Sequence, residues 1–397
     1  MAPAKSPPRM LTLVLLTSLS VLSLNMFLPS LKQIAAEYDA DYGLVSLALG
    51  GYLAMSAVLQ MILGPLSDMI GRRPVMLGGF AVFVVASVGC ALAENVWVFL
   101  GFRMMQCMVG VGMVLSRTVV RDIAPKEEAA RLLGIMGTAM ALAPLLGPVL
   151  GGYLDEWFGW RSTFWFFAIA GVALLLLIWA DMGETNQTPS VSFSVQFRSY
   201  PELFRERLFW AYCALLVFSV GGFYVFLGGA PQVGEAAYGL TPALLGIGMG
   251  SISGGFMLGN IVSTRMARSW GIVRLMVLGR WCATLGPLAA MLTVLAGISH
   301  PAVMFGGAIF VGFGNGLTLP GANAGVMSVA PRLAGSASGL SGALTLAGGA
   351  AISTLVGALV TNAFGVYVLL GAMVVSSGVG LAAAYAVGRL ESQRSGL

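Results

Sequence analysis

Three groups of polar residues stand out in this sequence, because little else in it is polar. The first is Gly64-Pro65-Leu66-Ser67-Asp68-Met69-Ile70-Gly71-Arg72-Arg73-Pro74, where a glycine-rich turn holds one carboxylate and two guanidinium groups close together. A carboxylate so placed can meet the positive N-terminal end of a neighbouring helix, and the guanidiniums can pair with acidic groups. A membrane-surface anchor is the alternative; it explains the arginines but not Asp68 or the glycines. The second group is Arg103 with Gln106, inside an apolar run. Arginine in hydrocarbon is costly unless it faces water or a partner, so Arg103 is a functional candidate, with snorkelling to the headgroups as the other reading. The third is Asn25-Met26-Phe27-Leu28-Pro29, whose amide forms hydrogen bonds but does not titrate.

Enzyme chemistry finds no footing. There is no Ser-His-Asp set, no metal-ligand cluster and no phosphate-cradling loop, which argues against catalysis and against ATP-driven pumping by this chain. The one histidine, His300, lies in a connector beside Pro301. The four cysteines, Cys90, Cys107, Cys213 and Cys282, lie in apolar runs without CxxC spacing and read as small buried hydrophobes. No cofactor is expected.

The elements that must carry these residues follow from polarity. The chain has 397 residues, 58% hydrophobic and only 9% charged, with a mean hydropathy of +0.89. Such a composition puts lipid rather than water against the fold. At about 20 apolar residues per crossing, the chain accommodates about twelve spans. Charged and Gly/Pro-rich connectors place them near 10–29, 43–64, 74–93, 96–117, 131–154, 161–180, 208–230, 241–264, 272–298, 301–320, 335–359 and 364–388. The first run, behind Lys5 and Arg9, is long enough to be a retained span rather than a signal peptide. The net charge of +5 does not point to nucleic acid, because the basic residues sit in short connectors with no aromatic-laced stripe. With the N-terminus cytoplasmic, Arg72, Arg73, Arg121, Arg205 and Arg274 fall inside, and only Lys32 and Arg161 clearly fall outside. The positive-inside rule then puts both termini in the cytoplasm.

The longest polar interruption separates an N-terminal half, 1–180, from a C-terminal half, 208–397, with a cytoplasmic linker at 181–207. The two halves echo each other weakly. Gly71-Arg72-Arg73-Pro74-Val75-Met76-Leu77-Gly78 follows span 2, and Gly271-Ile272-Val273-Arg274-Leu275-Met276-Val277-Leu278-Gly279 follows span 8. Many of the 54 glycines recur at small-xxx-small spacing, as do Gly246, Gly250 and Gly254, letting helices approach closely.

The Gly64–Pro74 motif resembles the signature loop of the major facilitator superfamily, Gly-x-Leu-x-Asp-Arg-x-Gly-Arg-Arg, with Met69 where arginine is usual. The resemblance implies an all-α membrane fold of two pseudo-symmetric six-helix halves that rock about a midplane site. It also implies that Asp68 meets span 11 near Gly335-Ser336-Ala337-Ser338 and so latches the outward-facing state. Gly147-Pro148-Val149-Leu150-Gly151-Gly152 matches the Gly-Pro-x-x-Gly-Gly pattern of the superfamily's antiporters, where proline kinks span 5 and the glycines smooth its face. In the superfamily the arginine matching Arg103 is tied to proton coupling, although Cys107 here replaces a usual glycine. Arg117, Arg121 and Asp122 at the inner end of span 4, Tyr238-Gly239-Leu240, and Pro320-Gly321-Ala322-Asn323 narrow the likeness to the Bcr/CflA subgroup of drug:proton antiporters. Members of that subgroup usually carry an aspartate where this chain has Asn25. No other acid falls securely at the middle of a span.

The expected solute cavity is therefore lined by Asn25, Phe27, Tyr52, Arg103, Gln106, Met113, Phe223, Tyr224, Asn315 and Asn323, without a counter-charge for cations. Arg280 reads as structural. The resemblance implies proton-coupled efflux of small amphipathic compounds, of the kind that confers antibiotic resistance, by a monomer in the bacterial inner membrane. Its partners would be solute, protons and lipid, with no nucleic acid. A facilitator or importer of a small metabolite is the alternative, and a non-transporting receptor is a third reading.

Overall fold

In the computed structural model, residues 7–186, 200–330, 333–360 and 364–395 are described. The middle of the expected linker, including Gln187 to Ser190, lies outside them. Among the described residues the structure is helical, and 12 helices are long and apolar enough to cross a membrane. They are Met10–Glu37, Tyr42–Ile70, Arg72–Leu92, Val96–Ile123, Ile135–Phe158, Arg161–Asp181, Arg207–Tyr238, Pro242–Trp270, Ile272–Leu295, Pro301–Val329, Gly335–Leu359 and Gly365–Arg394, hereafter spans 1 to 12.

Several spans outrun the apolar segments that announce them. Span 2 continues through Pro65 to Ile70, so the first half of the latch motif is helix rather than loop. Span 7 reaches Tyr238 and span 10 reaches Val329. Polarity ends a hydropathic run, but backbone hydrogen bonding ends a helix, and here the bonding continues past the polar break. The latch motif turns at Gly71, whose φ of +104° caps span 2 in a region that L side chains avoid, its N–H bonded to Ser67. Gly271 does the same after span 8 at φ +79°, so the echo between the connectors is a matching backbone turn.

Spans 1–6 pack into one bundle and spans 7–12 into another. The bundles meet along two seams, span 2 against span 11 and span 5 against span 8. The tightest approaches across both seams lie toward the end opposite the termini. A Cβ on Gly152 would overlap the Pro242 carbonyl, one on Gly246 the Pro148 carbonyl, and one on Gly50 the Thr354 hydroxyl. Tyr42 donates to the Gly228 carbonyl at 2.7 Å and Lys32 pairs with Glu235 at 3.0 Å, both across the same end. The molecule is sealed at that end.

Candidate functional site

Two spans are broken where they pass the centre. Span 1 leaves α-helix after Asn25 and makes a 3-10 turn at Leu28–Ser30, and span 4 makes one at Gln106–Val109. Such breaks free backbone carbonyls, which hydrocarbon does not tolerate unless protein groups satisfy them. Ser20 donates to the Val109 carbonyl at 2.6 Å, tying one break to the helix of the other.

Arg103 completes this junction. It is fully buried. Its Nε donates to the Ala48 carbonyl at 3.2 Å, one terminal nitrogen to the Ser23 carbonyl at 2.7 Å, and the other to Gln106 Oε1 at 2.7 Å. The guanidinium lies between two rings, 4.1 Å from the centroid of Phe27 and 4.2 Å from that of Tyr52. Gln106 passes the chain on to Ser87 of span 3 at 2.8 Å. The charge is thus met by oxygen dipoles and aromatic faces, with no carboxylate among its hydrogen-bond and ion-pair partners. The arrangement clamps spans 1, 2, 3 and 4 together, and it points Arg103 into the bundle rather than at solute.

Between the bundles lies a cavity of about 160 Å³. Tyr52, Ser56 and Gln60 of span 2, Ser20 of span 1 and Met113 of span 4 line one side, and Tyr224 of span 7 faces them. The remaining wall is mainly aliphatic. Of the residues expected there, Tyr52, Met113 and Tyr224 line it. The others are placed elsewhere for identifiable reasons. Asn25 is buried against span 5 at Gly147, donating to Val21 at 3.1 Å with its oxygen unpartnered. Phe27 and Gln106 serve Arg103. Phe223 packs edge-on to Tyr224 from outside the wall. Asn315 accepts from Arg280 at 2.6 Å within the C-terminal bundle, and Asn323 is exposed, bonding its own helix at Leu319. Arg280 is fully buried and also donates to Thr318 at 3.0 Å, which ties span 9 to span 10.

Ser20, Ser56 and Gln60 are cavity residues that the sequence reading missed. Tyr52, Ser56 and Gln60 recur every four residues, one helical face, and are the polar side chains of an apolar stretch. That stripe was the available signal.

The latch residues are gathered at the end that carries the termini. Arg72 pairs with Asp68 of its own turn and with Asp122 of span 4 at 3.2 Å, and donates to Ser67 Oγ at 2.6 Å. Glu184, after span 6, accepts from the backbone N–H groups of Arg72 at 2.9 Å and Arg73 at 3.2 Å. Arg73 also donates to the Trp179 carbonyl at 2.7 Å. Gly64 has open space around it. Among the described residues, the recorded partners of Asp68 belong to its own bundle, so its expected contact with the start of span 11 is not made in this conformation. Arg121 is exposed, and Arg117 reaches Met140 of span 5 at 3.4 Å.

The span 5 motif faces two ways. Gly147 and Gly151 receive span 1, where a Cβ on Gly151 would overlap the Met26 carbonyl. Gly152 and the Pro148 carbonyl receive Pro242 and Gly246 of span 8. Proline at 148 removes an N–H, and the glycines let a carbonyl of one span rest directly against the backbone of the other, where side chains would intrude. Half of the motif builds one bundle and half builds the seal.

A family model described as Major Facilitator Superfamily matches residues 13–354. The chain belongs to that superfamily. It is similar to a chloramphenicol resistance protein of Pseudomonas aeruginosa, 30% identical over 277 residues, 69% of this chain and 66% of that one. It is also similar to multidrug resistance protein D of Escherichia coli (strain K12), 29% identical over 357 residues, 87% of each. The crystal structure of a D-xylose-proton symporter shares the fold, with a TM-score of 0.76 at 14% identity over 93% of this chain and 95% of that one. The superfamily membership and helical membrane fold expected from the latch and span 5 motifs are borne out. This facilitator-family chain is a multi-pass membrane transporter, not an enzyme.

Proposed function

We propose that this transporter exports small, predominantly apolar compounds in exchange for protons, by rocking its two six-span halves about the cavity between Tyr52 and Tyr224. The observation that carries this reading is the cavity itself. It is central, lies between the bundles, is aliphatic and aromatic in its walls, and carries only hydroxyls and the Gln60 amide as polar handles. Flat and soft side chains suit loose recognition of apolar solutes. With Arg103 enclosed and no acid in the wall, neutral compounds fit better than cations. The names of the resistance-protein relatives support efflux as the direction.

The halves are 1–180 and 208–397, joined by 181–207, and the chain works as a monomer in the bacterial inner membrane with both termini cytoplasmic. In that orientation the sealed end is the outer one and the cavity belongs to an inward-facing state. Lys32 and Arg161 are the outer-end cations, paired with Glu235 and Glu37. The Asp68–Arg72–Asp122 cluster is then a cytoplasmic latch, disengaged from span 11 here.

Purified protein in liposomes, with an imposed pH gradient and a panel of neutral antibiotics, cationic dyes and organic anions, tests the proposal. Gradient-driven uptake of neutral compounds into inverted vesicles is expected. Flux that ignores the gradient for every responsive solute refutes antiport and leaves a facilitator. Efficient accumulation of lipophilic cations refutes the specificity.

A further inference from the structure

The wall of the central cavity carries no charge, but its rim on the side of the termini does. On span 4, Gly110, Met113 and Val114 line the cavity. Arg117 follows them at spacings of seven, four and three residues, the intervals of a single helical face. Arg121, one further turn along, continues the stripe. The face that bounds the cavity at Met113 therefore becomes cationic about 6 Å farther along the helix. Both arginines are exposed, although Arg117 lies six residues, about 9 Å, inside the end of its helix at Ile123. Because the stripe it continues bounds the cavity, that exposure is to the mouth of the cavity rather than to lipid.

The charge of Arg117 is not neutralised there. Among the described residues its recorded polar contact is with a neutral thioether, Met140 Sδ of span 5, at 3.4 Å. The carboxylates of this end are engaged or distant. Asp122 pairs with Arg72 at 3.2 Å and accepts from Thr185 at 3.4 Å, and Asp68 pairs with Arg72. Glu184 accepts from the backbone N–H groups of Arg72 and Arg73. Glu127 and Glu128 stand in the first turn of the helix that carries Met140, 13 and 12 residues before it, about 20 Å along the axis. In the facing bundle, Glu202 and Glu206 precede span 7. The sequence then has no acid between Glu235, paired with Lys32 at the sealed end, and Glu391, which accepts from Tyr212.

A guanidinium without a carboxylate, placed where an apolar wall ends, suits an anionic group carried on an apolar body, because its N–H fork matches the oxygens of such a group. We infer that Arg117 is an anion-recognising subsite of the cavity and that the transporter takes amphipathic monoanions. The apolar part lies between Tyr52, Met113 and Tyr224, and the anionic group meets Arg117, with Arg121 raising the positive potential of the mouth. This rests on the cavity being the solute site, as proposed above, and adds a class of solute to it. Neutral compounds enter without the contact, and cations are repelled before they reach the wall. At a rim open to water, the charged hydrogen bond is worth about tenfold in affinity.

Calorimetric titration of the full chain in detergent with naphthalenesulfonate, and with the neutral naphthyl methyl sulfone, tests the assignment. The wild type is expected to bind the sulfonate about tenfold more tightly at low ionic strength, with the ratio shrinking as salt rises. Arg117→Gln should bring the two affinities together by weakening the sulfonate alone, and Arg117→Lys should keep part of the difference. Met113→Trp, which fills the wall, should weaken both compounds. A wild type that binds neither compound, or both equally, overturns the subsite, as does a preference that survives Arg117→Gln. Sulfonate binding that survives Met113→Trp while the sulfone is lost marks an adventitious ion only and also overturns it. A wild-type ratio that ignores salt refutes it even where a variant fails to fold. The titration uses neither a gradient nor flux, so the two readings fail separately. If liposome transport ignores the gradient while the preference still depends on Arg117, antiport falls and the subsite stands.

Discussion

The seal between spans 5 and 8 makes a prediction that separates conformational strain from folding strain. A Cβ on Gly250 would lie 2.6 Å from the Leu145 carbonyl oxygen, across the seam between bundles. Ordinary van der Waals contact begins at 3.4 Å, so Gly250→Ala is roughly 0.8 Å too close to a backbone atom that has no rotamer with which to yield. Overpacking of this kind costs about 1–3 kcal/mol. In the sealed state the methyl bears that cost, and in the state where the bundles part at this end it does not. The open-to-sealed ratio should therefore rise about 5- to 150-fold. Two glycines calibrate the result. Gly254, one turn along span 8, has only Leu145 Cδ1 at 3.9 Å, so Gly254→Ala should change little. Gly279 has the same 2.6 Å approach, to the Gly314 carbonyl, but inside the C-terminal bundle. Gly279→Ala should lower thermal stability without moving the bundles. The assay is the distance between spin labels on the two bundles at the sealed end, together with thermal unfolding in detergent. If Gly250→Ala lowers stability as Gly279→Ala does and leaves the distance unchanged, the seam is static packing and the reasoning is wrong.

Arg72→Ala should destabilise the protein by about 1–3 kcal/mol, since it removes charged hydrogen bonds to Asp68, Asp122 and Ser67 at once. Asp68→Asn should cost less in the same thermal melt, because Asp68 is 43% exposed and Arg72 keeps its other partners. Gln60→Leu should leave the melting temperature nearly unchanged while raising KM for solutes with hydrogen-bonding groups more than for purely apolar ones, measured as liposome flux. Tyr52→Leu removes the ring that separates Arg103 from the cavity, a contact of about 0.5–2 kcal/mol. Organic anions that do not compete with transport in the wild type should then inhibit it, and equal inhibition in both proteins would show that the ring does not screen the charge.

What the sequence revealed and what it withheld divide along a physical line. The lipid-facing character of the spans is a property of composition, and the latch and span 5 motifs are strings of consecutive residues, so both are readable without geometry. The turn at Gly71 and its echo at Gly271 follow from glycine's freedom at positive φ. Rotation of a helix about its own axis is different, because it depends on which neighbour a side chain meets. Asn315 and Tyr224 are both plausible wall residues on paper, but Arg280 of span 9 draws Asn315 into the bundle while Tyr224 lines the cavity. The same holds for Asn25, whose place beside the Gly147 gap is set by the bend of span 1 after it. Asp155 was legible as an acid near a span end. That it is buried there depends on how span 1 folds over span 5 and sets Gln33 against it.

Those placements change what Arg103 can be doing. A charge inside a span is commonly balanced by an acid, and none is among the partners of Arg103 in the described residues. The two helical breaks supply the compensation. Span 1 opens after Asn25 and gives the Phe27 face and the Ser23 carbonyl; span 4 opens after Met105 and turns Gln106 back onto the guanidinium. Span 2 closes the arrangement with Ala48 and Tyr52. A cation held by fixed dipoles and rings does not need to change partners as the bundles rock, because its ligands among the described residues all come from one bundle and move with it. It therefore serves as a rigid keystone of the N-terminal bundle. The contacts that cross between the bundles at the sealed end are different in kind: Tyr42 with Gly228 and Lys32 with Glu235. Parting of the bundles at this end has to break them, so these contacts, and not those of Arg103, are the ones a rocking movement exchanges.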